Sequence, residues 1–219
     1  MKYFLAIITI LATLNNFAQD KPVSYETHTL GAYRFFDTKP KTEGSNYLFD
    51  KWDNMNITYL QDTIISFQTL NINVRDNTFE SKISEDQVYV ISPTSLKYVK
   101  FNDRVYKHYF DNTENKNRIF QVLAGNDEYT ILRGFKTRMI EGKTNPVVTE
   151  VINKQVIDKQ TYVYNIKSKS IQKIRLNKKN ILPLFGKKKK EIEKFVKENK
   201  LSYKKDEDLK SIFKYYIQA

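Results

Sequence analysis

Residues 118–138 read RIFQVLAGNDEYTILRGFKTR, and the reading of this stretch decides the fold class. Ile119, Phe120, Val122 and Leu123 fit either a strand or one face of a helix. The run is short, and Gly125-Asn126-Asp127 stops it with turn-forming residues, which favours strand. Arg118–Ala124 and Glu128–Arg138 are therefore expected to form a hairpin.

The flanking sequence repeats the pattern. Leu70, Ile72 and Val74 alternate with Asn71 and Asn73, Arg75-Asp76-Asn77 turns the chain, and Phe79, Ser81 and Ile83 continue on one face. Val88–Ile91 is a short apolar strand ended by Ser92-Pro93. Leu96–Phe101 and Arg104–Phe110 flank Asn102-Asp103, residues that tolerate the left-handed conformations of a tight hairpin turn. Tyr162, Tyr164 and Ile166 alternate, Ser168-Lys169-Ser170 turns, and Ile171–Leu176 returns. About nine or ten strands between Asn56 and Leu176 predict an antiparallel sheet built from hairpins and rolled into a barrel, half-barrel or sandwich. Residues 19–51 are poorly patterned and are expected to wrap the surface. Met139–Asn145 is expected to be an exposed basic loop.

After Leu176 the period changes to helical. Asn180–Phe185 reads as a short helical turn stopped by Gly186. Lys187–Asn199 reads as a charged helix with Ile192, Phe195 and Val196 as its stripe. Asp206 reads as an N-cap before Leu209, Ile212, Phe213 and Tyr216. Such short helices do not stand alone in water. A C-terminal helical pair, about residues 178–217, is thus expected to pack on the sheet of one domain covering residues 19–219, giving a mainly β, α+β class.

Met1–Ala18, MKYFLAIITILATLNNFA, has the order of a secretory signal peptide: Lys2, an apolar run, then a small residue at the expected cleavage point. The run of about 12 residues is too short to cross a bilayer, and no later stretch approaches the ~20 apolar residues of a membrane helix. The mature chain is expected to begin at Gln19 and to reside in the periplasm, with the cell surface or exterior as alternatives.

The chain has 219 residues, 37 basic and 25 acidic, for a formal charge of +12. No cysteine is present, which excludes disulfides, thiolate metal sites, cysteine nucleophiles and lipid-modified cysteine. Histidine occurs only at His28 and His108, which excludes a multi-histidine metal centre within one chain. The charge is polarised. Residues 19–166 carry 19 charges of each sign, whereas residues 167–219 carry 17 basic and 6 acidic residues. This end can attract an anionic envelope component, and Lys187, Lys188, Lys189 and Lys190 are the candidate anion-binding residues. A solvated lysine-rich face is the plainer reading. Arg175 is the sole arginine of this segment, and export removes the chain from nucleic acid, so nucleic acid is a poor partner.

Catalytic signatures fail on spacing. Gly142-Lys143-Thr144 ends like a phosphate loop, but Thr137 stands where the first glycine is required. Asp111–Asn115 is acidic without the glycine or closing glutamate of a calcium loop. Asn56-Ile57-Thr58 satisfies the N-glycosylation pattern. His108 could act as a base beside Asp103 or Asp111, yet no nucleophile is fixed by spacing. No catalytic, cofactor-binding or metal-binding residue is assigned. Trp52 either plugs the open end of the sheet or lines the mouth of a ligand cavity.

The stretch from Gly44-Ser45-Asn46-Tyr47-Leu48 to Trp52, the strand Arg118–Leu123, and the tail with Ile181-Leu182-Pro183-Leu184-Phe185, Lys190-Glu191-Ile192, Asn199-Lys200-Leu201 and Asp208-Leu209 to Tyr215-Tyr216 resemble a group of small exported proteins of Bacteroidetes-type bacteria. The resemblance implies export to the periplasm or cell surface and transfers no activity. Two functional classes follow: a non-enzymatic module that binds a ligand or an envelope partner, and, as the alternative, an enzyme such as a carboxylate-dependent hydrolase.

Overall fold

The computed structural model describes residues 43–53, 55–61, 63–141 and 153–218, and the backbone of two strands, 27–28 and 31–35. The expected leader, residues 1–18, and the loop from 142 onward, with its Gly142-Lys143-Thr144, lie outside the described residues. In chain order the strands are β1 (Thr27–His28), β2 (Gly31–Phe35), β3 (Glu43–Gly44), β4 (Asn56–Leu60), β5 (Ile64–Ile65), β6 (Asn71–Asn73) and β7 (Thr78–Lys82). They continue with β8 (Gln87–Ile91), β9 (Leu96–Phe101), β10 (Arg104–Asp111), β11 (Lys116–Gly125), β12 (Tyr129–Ile140), β13 (Lys154–Asn165) and β14 (Ser170–Ile174). The helices are α1 (Lys178–Ile181), α2 (Lys189–Glu198) and α3 (Asp206–Gln218), with a 3-10 segment over Leu182–Lys188.

The hairpin expected from residues 118–138 is β11 and β12. Asn126 builds its turn by accepting from the backbone N–H groups of Glu128 and Tyr129 at 2.9 and 2.7 Å. The Asn102 turn joins β9 to β10 with φ of 50°, the left-handed region that asparagine tolerates. Antiparallel pairing then runs β14-β13-β12-β11-β10-β9-β4-β5, with β3 added in parallel beside β13. A second sheet runs β1-β2-β8-β7-β6. Two expectations change here. Residues 31–35 do not merely wrap the surface: they pair with β8 over five residues and cover a backbone edge that would otherwise be open. Met139 and Ile140 belong to β12, because Lys154 and Gln155 of β13 supply cross-strand partners that local sequence does not reveal.

The larger sheet packs differently at its two ends. One face of β11 presents Ile119 and Leu123. Ile119 joins Leu70, Ile72, Phe79, Val99 and Tyr106 in a core between the two sheets. Leu123 joins Ile131, Phe185, Ile192, Leu209 and Phe213 in a core under the helices. The smaller sheet and the helical region therefore sit side by side on one face. On the opposite face Phe120, Leu132, Tyr162 and Ile171 form a third cluster. Here the sheet rolls over itself. Tyr109 on β10 and Tyr164 on β13 are three strands apart, a spacing of roughly 14 Å in a flat sheet. Their ring centroids lie 4.8 Å apart. The Ile171 N–H reaches Asn112 Oδ1 at 2.8 Å across the roll. β14 and β5 remain separate edges, so no closed barrel forms.

Gly134 permits the roll. A Cβ there would stand 2.8 Å from ring carbons of both Phe120 and Tyr162, and these rings meet edge to face at 5.4 Å. Glycine ordinarily weakens a strand, but here the flanking aromatics fill its place.

The helices dock as their periodicity requires. Asn177 caps α1, accepting from the Asn180 N–H at 2.9 Å. Gly186, at φ 52° and ψ −122°, bends the chain into α2. Phe195 of α2 stacks on Tyr215 of α3 with centroids 3.9 Å apart. Asp206 corrects the capping expectation: it is the first residue of α3, and its carboxylate takes the Arg133 guanidinium of β12 at 2.6 and 2.9 Å. This fork ties α3 to the sheet. Phe213 is buried and Lys214 exposed. Phe213→Ala should cost about 3–5 kcal/mol in chemical denaturation. Lys214→Ala should stay within roughly ±0.5 kcal/mol. Equal, small effects would mean an undocked helix.

Candidate anion-binding surface

Lys187 and Lys188 end the 3-10 segment, and Lys189 and Lys190 open α2. Their display follows from the anchors on either side. Phe185 and Ile192 are both buried in the helical core, so the residues between them must pass over the surface. Lys187, Lys189 and Lys190 are exposed. The Lys188 ammonium lies over the Tyr216 ring, 5.4 Å from its centroid. Positive charge in the first turn of a helix runs against the macrodipole, and Glu191 is the sole acidic residue of that turn.

The neighbouring carboxylates are already engaged. Glu191 accepts from the Tyr215 hydroxyl at 3.0 Å, and Glu193 pairs with Lys178. Between residues 178 and 200 there are nine lysines and three glutamates, with no arginine. Lys178, Lys179 and Lys189 line a surface cavity of about 410 Å³ together with Leu182 and Pro183. The surface thus sets ammonium groups beside the apolar Leu182 and Pro183, in keeping with lysines whose stems cover apolar area while their heads stay in water. Sequence reading found Lys187–Lys190 from their run. It missed the contribution of Lys178, Lys179, Leu182 and Pro183, because the bend at Gly186 brings together residues that no helical period relates.

A second charged cluster is internal. Arg118 donates to Asp111 Oδ2 at 2.7 Å, Glu114 Oε1 at 3.3 Å and the Phe135 carbonyl at 2.9 Å. Its guanidinium also lies over Phe120 and Tyr162, 5.1 and 5.8 Å from the ring centroids. Burial opposes ionisation of Asp111, but hydrogen bonds from Thr113 and Arg118 outweigh it and hold the carboxyl below its ordinary value. Burial likewise opposes ionisation of Glu114, and Lys136, Lys116 and Arg118 outweigh it in the same direction. A general acid needs the reverse, a carboxyl raised toward neutrality. Asp111, at the start of the acidic 111–115 run, engages Arg118 and the Thr113 hydroxyl and N–H. Among the described residues no group of three or more His, Asp or Glu is placed to hold a metal.

His108 and Asp111 face opposite sides of β10. The imidazole packs edge-on against Phe79, 5.7 Å between centroids, and its Nδ1 is buried without a hydrogen-bond partner. Burial, the larger influence, lowers its pKa, and the nearby Asn77 backbone partly offsets that. The His28 side chain lies outside the described residues. Asn56, of the glycosylation pattern, is buried in β4: its Nδ2 donates to the Phe67 carbonyl at 2.8 Å, and its Oδ1 accepts from the Phe67 N–H at 3.1 Å. Trp52 is half-buried, 4.5 Å from the Tyr47 ring, and its carbonyl accepts from the Leu70 N–H at 2.8 Å. It links the 43–53 segment to the smaller sheet. No described helix is long and apolar enough to cross a membrane. Comparison of the chain with protein-family models, with curated proteins and with solved structures gives no match.

The Arg118–Asp111 pair generates a stability prediction. Asp111→Asn leaves the buried guanidinium with Glu114, at 3.3 Å, as its remaining counter-charge and should be destabilising, with about 3–5 kcal/mol, the cost of a fully uncompensated buried charge, as the upper limit. Because the native Asp111 carboxyl is held low, its contribution is present above the unfolded value of about 3.9 and is lost as pH falls through the native value. The stability difference between wild type and variant should therefore shrink in acid denaturation series below about pH 4. A constant difference would show that Asp111 is not the titrating partner.

Proposed function

We propose that the mature chain is an exported, non-catalytic binding module of the cell envelope, which receives an anionic partner on the lysine surface of its helical cap. The carrying observation is the display of Lys187–Lys190 between the buried anchors Phe185 and Ile192, with the adjacent Glu191 and Glu193 already engaged. The order of residues 1–18 and the resemblance to small exported proteins support the envelope as the place of action. Within the enzyme alternative, a carboxylate-dependent hydrolase requires paired carboxylates with one raised toward neutrality, whereas Asp111 and Glu114 are both drawn downward, Asp111 by hydrogen bonds from Thr113 and Arg118 and Glu114 by Lys136, Lys116 and Arg118. Nucleic acid fits poorly, since planar bidentate recognition is a property of arginine and residues 178–200 contain none.

The test uses the mature chain on immobilised heparin as a generic polyanion. Wild type should be retained and elute as salt rises, because exposed charges are screened over about 10 Å at 0.1 M. Replacing Lys187, Lys188, Lys189 and Lys190 together by Gln should move elution to lower salt with an unchanged melting temperature. Equal retention of both proteins would leave these lysines as a solvated helix start. The export component has its own measurement: the intact mass of the secreted form should correspond to a chain beginning at Gln19. A mature form that retains Met1 would contradict it.

A further inference from the structure

Resting on that reading, we infer that the anionic partner is a lipid bilayer surface, met by Leu182 and Pro183 between Lys178, Lys179 and Lys189. A dissolved polyanion offers charge alone. A bilayer interface offers anionic head groups above an acyl layer, and binding to it combines electrostatic attraction with burial of apolar area. The cavity has that composition: Leu182 and Pro183 line it beside three lysines, of which Lys178 is paired with Glu193 and Lys179 and Lys189 supply the net charge. Pro183 is exposed, and Leu182 is half-buried against the helical core, so the apolar step is held from beneath while its outer part faces solvent.

The cations suit the same partner. All nine basic residues between 178 and 200 are lysines. An ammonium is a strongly hydrated point charge on a flexible stem, which matches a shifting layer of head groups rather than one fixed phosphate. Each lysine held near an anionic leaflet contributes about a fivefold gain in partitioning. Several acting together provide reversible association without a spanning helix. The strongest run, Lys187–Lys190, leads out of the same bend at Gly186, so both parts of the surface share one rigid support.

The experiment is co-sedimentation with vesicles of phosphatidylcholine alone or mixed with phosphatidylglycerol, across a salt series, with heparin retention in parallel. Wild type should sediment with the anionic vesicles, lose binding with salt and ignore the neutral ones. Leu182→Ser, assayed well below a melting temperature that falls with the lost core contact, should lower vesicle partitioning at least about fourfold, the value of roughly one buried methylene, while heparin elution stays fixed. Pro183→Trp, at an exposed site, should gain blue-shifted emission on anionic vesicles beyond any change seen in wild type from Trp52. Heparin retention without vesicle binding would overturn the bilayer inference and leave the anion-binding reading standing. Failure on both supports would overturn both. Vesicle binding that is unaffected by Leu182→Ser, with no added emission shift in the Pro183→Trp variant, would also overturn the inference, because charge alone would then account for it.

Discussion

From Arg118 to Ala124 in β11, every residue but Val122 is buried. A strand in this position offers two apolar faces, and water must be removed from both. The face carrying Ile119 and Leu123 is too long for one cover, so the smaller sheet shields its Arg118 end and the helical cap its Ala124 end. The face carrying Phe120 is shielded by the sheet's own roll, which brings Tyr109, Tyr162 and Ile171 over it. Gly134 makes room for that roll, and the Arg118 cluster satisfies the charges trapped at its rim. Burial on both faces of one strand thus demands the second sheet, the curl and the helices together.

The same condition explains what the residues disclose. Leu96–Phe101 could be placed from the turn residues on either side, Ser92-Pro93 and Asn102-Asp103, although its apolar Leu96, Tyr98, Val99 and Phe101 do not alternate. The run at Ile119–Leu123 shows no alternation because neither face is wet, and only its length and the following Gly-Asn-Asp identify it as a strand. β2 stayed hidden since its role is to pair with β8, a partner more than fifty residues away. The first half of β13, Lys154–Lys159, stayed hidden because Lys154, Gln155, Asp158 and Lys159 flank only two apolar residues, Val156 and Ile157, with no alternation until β12 supplies cross-strand partners. The helical cap was legible from Ile192, Val196, Leu209, Ile212 and Phe213, which face one core as their spacing requires.

Of the candidate site, composition revealed the charge and not the shape. Lysine counts locate the basic excess after residue 167, and the run at 187–190 stands out in any reading. The apolar step at Leu182-Pro183 does not stand out, because its meaning depends on the turn through Gly186 that places Lys189 beside Lys178 and Lys179. Helix docking and surface display are linked. Arg133 holds Asp206, the Phe185 and Phe213 rings meet at a tilt with centroids 4.8 Å apart beneath, and the lysines occupy the outside because their neighbours are committed to the inside. Loosening the cap would therefore loosen the surface.

The claim that β11 organises the fold is tested most directly by native-state hydrogen exchange resolved to single amides. Amides of Ile119–Leu123 and of their partners Ile131–Phe135 should exchange only through global unfolding, with β5 and β4 opening at lower free energy. Exchange of Phe120 and Leu132 through a local opening as easy as that of Thr58 or Ile65 would contradict the account.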